Sequence, residues 1–119
     1  MADAMPKRRE LWNVRFDPSV GAEITKVRPA VVISENAIGK LPLRIVVPVT
    51  DWKTNYGTYP WFVKVEPSPS NGLTKTSGVD AFQVKSVSTA RFVSRLGEIT
   101  DNQADDIASA IAMCVGSPT

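Results

Sequence analysis

The chain has 119 residues, 43% apolar and 22% charged, the size and composition of one folded domain, which excludes an intrinsically disordered protein. It has no histidine and one cysteine, Cys114, which excludes a histidine proton shuttle, an internal disulfide and a cysteine-rich zinc site. The net charge of +2 hides an asymmetry: residues 1–98 hold all 14 basic and nine of the 12 acidic residues, whereas the last 21 hold three acids and no base. Such a basic body suits a polyanionic partner.

Residues 1–8 lack periodicity and read as a loose arm on a single domain covering 1–119. Lys7, Arg8 and Arg9 have no apolar run behind them, and no segment reaches the roughly 18 apolar residues of a membrane span. A cytoplasmic protein without membrane contact is therefore expected.

From Leu11 the sequence alternates, with Trp12, Val14 and Phe16 on one face of a strand that Asp17-Pro18 stops. A polar loop with Gly21 and Glu23 runs to Arg28, and Pro29 opens a buried-type strand over Ala30–Ile33. Residues 34–42 form a loop containing Asn36, Gly39 and Pro42, with room for one helical turn. Leu43–Val49 is the most apolar strand; its Pro48 predicts an edge or a bulge near its end.

Asp51–Pro60 is a loop rich in aromatics, Trp61–Glu66 a strand, and Pro67–Gly72 a turn. Gly78–Val87 alternates as one strand, which sets Asp80, Phe82, Val84 and Ser86 on one face and Val79, Ala81, Gln83 and Lys85 on the other. A short helix over Thr89–Ser94 and a strand over Arg95–Ile99 follow. Thr100 and Gln103 form a capping box for a terminal helix whose Ala104, Ile107, Ala108, Ile111, Ala112 and Val115 share a face, and Gly116 and Pro118 end it. Five to seven short strands and one helix predict a mainly β, α+β fold: a small, bent, SH3-like barrel with a C-terminal helix.

Several residues carry candidate chemistry. Arg28 at a strand mouth can bind a phosphate bidentately, or pair on the surface with Glu23 or Asp17. Glu23 can orient Arg28, act as a base or cap a turn. Thr50, at the end of a rigid strand, suits contact with substrate or the capping of a loop. Gln83, Lys85 and Ser86 interrupt an apolar strand with polar groups. Trp52 and Tyr56, with Lys53 and Lys64 nearby, are the combination that stacks single-stranded RNA bases, whereas Trp61 reads as a core or interface aromatic and Cys114 as a packed apolar residue.

Five blocks stand in register over residues 8–116: Arg8-x-Glu10-x-Trp12-x-Val14-x-Phe16-Asp17-Pro18-x-x-Gly21; Gly21-x-Glu23-x-x-x-x-Arg28-Pro29; Val47-Pro48-Val49-Thr50; Gln83-Val84-Lys85-Ser86; and Arg95-Leu96-Gly97 before the terminal helix. Together they resemble the MazF/PemK family of toxin ribonucleases from toxin–antitoxin pairs. The resemblance implies a PemK-type barrel that forms a homodimer and cuts single-stranded mRNA at short sequences. It implies no metal or other cofactor, and products with 2′,3′-cyclic phosphate and 5′-hydroxyl ends. It also implies a cognate antitoxin with an acidic tail.

Carried onto this chain, the resemblance makes Arg28, Thr50 and Glu23 catalytic candidates. RNA contacts fall to Gln83, Lys85, Ser86, Trp52, Lys53, Tyr56, Asp80 and Phe82. One position departs from the family: an acidic residue that some members carry before the glutamine is here Phe82, with Asp80 as a substitute base and Phe82 as a ring for stacking a nucleobase. The alternatives are a toxin of this fold that acts on a protein such as a topoisomerase, and a non-catalytic SH3-like binding module.

Overall fold

The computed structural model describes residues 5–17, 20–23, 26–38 and 40–117. The expectations for the first four residues of the arm, for Pro18 as a strand stop, for Gly39 and for Pro118 lie outside these residues.

Among the described residues, seven strands and one α-helix form the domain: β1 (Glu10–Arg15), β2 (Val27–Val32), β3 (Leu43–Asp51), β4 (Phe62–Val65), β5 (Ser77–Asp80), β6 (Lys85–Ser88), β7 (Phe92–Glu98) and α1 (Asp101–Cys114). The pairing is antiparallel in the order β4-β5-β3-β2-β1-β7, with β6 also on β3. The sheet is bent but has two ends, β4 and β7, so the barrel of the sequence reading is an open one.

Strand parity builds two cores. The cross-strand row Leu11–Val31–Val47 is fully buried and packs with Val49, Val65, Val79 and Ile99 against Ala104 and Ile107 of α1. The opposite face buries Val14, Phe16, Ala30, Val32, Val46, Val87 and Phe92, five strands curling around a second cluster that contains no helix residue. Burial on both faces explains the β-branched runs of β2 and β3, where alternation is lost.

On α1 the capping box is present: the Thr100 hydroxyl accepts the Gln103 N–H at 3.1 Å, and Gln103 Oε1 accepts the Thr100 N–H at 2.9 Å. Its buried stripe is Ala104, Ile107 and Ala110; Val115, expected on that face, is exposed because the helix ends at Cys114 and outruns the sheet.

Four expectations change. The arm is fastened from Pro6 onward: Pro6 is buried, its carbonyl accepts Arg44 Nε at 2.9 Å, and Arg8 donates its backbone N–H to Asn36 Oδ1 at 2.8 Å. Pro48 lies inside the central strand, where the partner of β3 changes from β6 to β5 and where the ladder to β2 ends at Ala30–Pro48. Gly78–Val87 is two strands, because the Asp80 carboxylate accepts the Phe82 N–H and Gln83 Nε2, both at 3.1 Å, and turns residues 81–83 into a 3-10 turn. Thr89–Arg91 is only a 3-10 turn, capped by Ser88, after which β7 begins.

Candidate functional site

Two neighbouring hollows hold most of the candidate residues. The first opens where β2 and β3 part. Pro29 and Pro48 each lack an N–H, so the ladder stops there, and β3 continues alone with β5. Extending the pairing of Ala30 with Pro48 by two residues sets Arg28 opposite Thr50. Both line a hollow of about 110 Å³ with Asp51, Thr74, Lys75 and Ser77.

Arg28 is exposed, and among the described residues no ion pair joins it to Glu23 or Asp17. Asp17 instead accepts the Lys26 N–H at 2.8 Å, and Glu23 accepts the Val20 N–H at 2.8 Å, so both carboxylates cap the loop between β1 and β2. The one ion pair in the hollow is Lys75 Nζ with Asp51 at 3.6 Å, both well exposed and worth little in stability. Two cations, one of them an exposed guanidinium with no carboxylate partner among the described residues, and three hydroxyls suit a phosphate dianion or diester.

The second hollow, about 530 Å³, is lined by Ala22, Glu23, Trp61, Asp80, Phe82 and Gln83. It shares Glu23, Phe82 and Gln83 with a smaller one of about 240 Å³, completed by Phe16, Pro48, Val84 and Lys85. Pro48 and Thr50 stand two residues apart on one face of β3, a repeat of about 7 Å, so the two sites are adjacent.

Aromatic rings run beside them. Tyr56 stacks on Phe62 at 3.9 Å and meets Trp52 edge-on at 5.7 Å; Trp61 stacks on Tyr59 at 4.9 Å and meets Phe82 edge-on at 5.8 Å. Trp52, Tyr56 and Phe62 cover Gly78, where a Cβ would lie 3.1–3.4 Å from their ring atoms, and Lys64 Nζ sits 5.3 Å from the Trp52 ring. These rings pack on one another and are half-buried. Phe82, by contrast, is 64% exposed. Trp61, read from sequence as a core or interface aromatic, is a half-buried wall of the larger hollow.

Of the remaining candidates, Lys85 lines the smaller hollow, and Lys53 is exposed at the start of the 3-10 turn Thr54–Thr58. Ser86 pairs with Ile45 and lines neither hollow. Asp80 does not share a strand face with Phe82: it is buried and holds the turn that presents Phe82. Sequence reasoning missed Asp51, Thr74, Lys75 and Ser77. Asp51 follows the Val-Pro-Val-Thr block directly, but the others arrive on the far side of the loop from β4 to β5 with no local signal.

Among the described residues no cluster of His, Cys, Asp and Glu could hold a metal, and no helix is long and apolar enough to cross a membrane. Cys114 is partly covered; burial first, and then the charge of Asp80, push its thiol pKa upward, which fits a packed residue and not a nucleophile.

Comparison with known proteins places these features. The family described as the PemK-like, MazF-like toxin of type II toxin–antitoxin systems matches residues 7–115. Endoribonuclease MazF9 of Mycobacterium tuberculosis is 31% identical over 102 residues, covering 81% of this chain and 84% of that protein. The MazF crystal structure (Form-I) from Deinococcus radiodurans superposes with a TM-score of 0.80 at 26% identity, covering 96% of this chain and 99% of that one. The MazE–MazF complex (Form-II) from the same organism gives 0.74 at 25% identity, covering 98% and 100%.

Proposed function

This chain belongs to the PemK/MazF family of type II toxin–antitoxin toxins, and from that we propose that it is a metal-independent endoribonuclease that cuts single-stranded mRNA at short sequences. The observation that carries the reading is that Arg28 and Thr50 line one hydroxyl-bearing hollow, with no ion pair to the Arg28 guanidinium among the described residues.

The RNA brings its own nucleophile, the 2′-hydroxyl. This attacks the adjacent phosphorus, the bond to the 5′-oxygen breaks and that oxygen takes a proton from water, so the products are a 2′,3′-cyclic phosphate and a 5′-hydroxyl. The protein supplies positioning and charge. Arg28 holds two phosphate oxygens and neutralises the charge that develops on them. The Thr50 hydroxyl donates a third hydrogen bond. Asp51 shares the hollow and takes the 2′-hydroxyl proton, and Lys75 Nζ lies 3.6 Å from its carboxylate. Glu23, read from sequence as a catalytic candidate, lies in the adjacent hollow and contacts the substrate instead of Arg28. Lys85 and Gln83 line the path to it, and Lys53 offers a further cation for the RNA backbone.

A homodimer and a cognate antitoxin complete the reading. Leu41, Leu43 and Ile45 are each more than 40% exposed at the start of β3, a strip that a second copy can cover. The antitoxin's acidic tail is drawn by the same positive groups that bind RNA, so the two compete.

The test is cleavage of a long unstructured RNA by the full-length protein with chelator present. Arg28→Ala is expected to lower the rate by on the order of 100- to 1,000-fold, and Asp51→Asn by about 100-fold or more, with circular dichroism unchanged. Near-wild-type cleavage by folded Arg28→Ala overturns the assignment. Absence of RNA cleavage by the wild type, with inhibition of a topoisomerase instead, turns the reading to a toxin with a protein target.

A further inference from the structure

The larger hollow has properties that phosphate binding does not use. Its wall is an open phenylalanine ring, with Phe82 64% exposed and braced edge-on by Trp61, whose other side is stacked on Tyr59. Its volume of about 530 Å³ lies within the range of small-ligand sites. Its rim carries two carboxylates and one side-chain amide, and no cation.

Both carboxylates are fixed. Glu23 Oε1 accepts the Val20 N–H at 2.8 Å, and the Asp80 oxygens accept the Phe82 N–H and Gln83 Nε2 at 3.1 Å each. An exposed aromatic ring beside acceptor-only groups is a site for a flat heterocycle whose edge donates hydrogen bonds. A phosphate or an acidic peptide would meet two negative charges there.

We propose that this hollow receives one unstacked base of the RNA, stacked on Phe82, and that Glu23 selects guanine. The inference rests on the ribonuclease reading for its ligand class. Guanine alone among the four bases presents two adjacent donors, N1–H and the 2-amino group, which match the two oxygens of one carboxylate. Uracil presents one donor between two carbonyl oxygens, which face the carboxylates unfavourably. Adenine and cytosine present one amino group beside an acceptor nitrogen. Selection therefore comes as much from the cost of mispaired acceptors as from the matched pair. The smaller hollow, which shares Glu23, Phe82 and Gln83 with the larger one, reaches Pro48, about 7 Å along β3 from Thr50, and so links the selected base to the scissile phosphate.

Two measurements on the full-length protein test this. In the first, guanosine, inosine, adenosine, cytidine and uridine 5′-monophosphates are titrated while the Trp61 indole and the Phe82 and Gln83 amide resonances are followed. Guanosine monophosphate is expected to move them and to bind about 5- to 100-fold more tightly than the uridine form, with inosine, which lacks the 2-amino group, losing most of that margin. Glu23→Gln should flatten the preference, and Phe82→Ala should remove binding at these resonances; both side chains are exposed, so the fold is retained. In the second, cut sites are mapped on a long RNA, where the wild type should require guanine at one fixed position and Phe82→Ala should relax that requirement.

Equal binding of guanosine and uridine monophosphates, or cut sites unaltered by Phe82→Ala, overturns the base site while RNA cleavage still upholds the ribonuclease reading. Guanosine-selective binding by a protein that does not cut RNA upholds the base site and sinks the ribonuclease.

Discussion

Gly97 is needed for its missing side chain. A Cβ there would lie 2.7 Å from the Asn71 carbonyl carbon and 2.9 Å from its Cα, and both are backbone atoms that cannot step aside. Asn71 is itself 2% exposed; its side chain accepts the N–H groups of Ser68 and Leu73 at 3.1 and 2.9 Å and donates to the Glu66 carbonyl at 2.9 Å. The Glu66–Leu73 turn is thus a rigid plug pressed onto β7. Gly97→Ala should destabilise the domain by about 1–3 kcal/mol, seen as a lower midpoint of urea unfolding at unchanged slope. An unchanged midpoint would show that the plug can yield. At this scale the sequence was informative where the backbone itself dictates residue type: Arg95-Leu96-Gly97 and the Asn71-Gly72 turn stood out before their contact was visible. It was silent about Lys26, a non-glycine residue at φ +62° whose N–H is held by Asp17, because no residue pattern marks a strained position.

Between elements, Glu10 joins the arm, β1 and β7. It accepts the Lys7 N–H at 2.9 Å, the Trp12 indole N–H at 3.0 Å and Arg95 Nε at 3.0 Å. Burial pushes its pKa up, but those hydrogen bonds and the charge of Arg95 outweigh it, and the net shift is downward from 4.5. A carboxylate with a depressed folded pKa adds stability that is fully present above its unfolded pKa and lost as pH falls through the folded one. Glu10→Gln should therefore cost about 1–2 kcal/mol at pH 7, and the gap from wild type should close below about pH 4.5 as the wild type weakens. Urea titrations of both proteins at pH 7 and pH 3 measure this; a gap that widens toward acid would reverse the assignment. Elements with internal signals were legible: the capping box of α1, the apolar run of β3 and the alternation of β1. The break in Gly78–Val87 was not, because the alternation was sound and only the Asp80 carboxylate, turned back onto its own chain, ended the strand. That miss put Asp80 on the same strand face as Phe82 instead of beneath the turn that presents it.

For the whole molecule, the question is how a bent open sheet disposes of its uncovered apolar surface. Both faces of the central strands are buried, one by α1 and one by the curl of the sheet, yet β3 begins with Leu43 and Ile45 at 41% and 42% exposure, continuing Leu41 at 47%. Their cross-strand neighbours on β6 are Ser88 and Ser86, so the row is uncharged. In the proposed homodimer, a two-fold contact through this strip would set two copies face to face and remove three large apolar side chains per protomer from water at the cost of no buried charge. Ile45→Glu places two like charges across such an axis and leaves the isolated protomer unstrained, since the side chain already meets solvent. The variant should remain folded by circular dichroism but run as a monomer in light scattering at concentrations where the wild type is a dimer, with an association constant at least about tenfold lower. If the groove for RNA is completed by the second copy, its cleavage rate should fall with the dimer fraction and recover when protein concentration is raised. A wild type that stays monomeric, or an Ile45→Glu protein that dimerises as well as wild type, would move the contact elsewhere on the molecule and leave the Arg28–Thr50 hollow to act within a single chain.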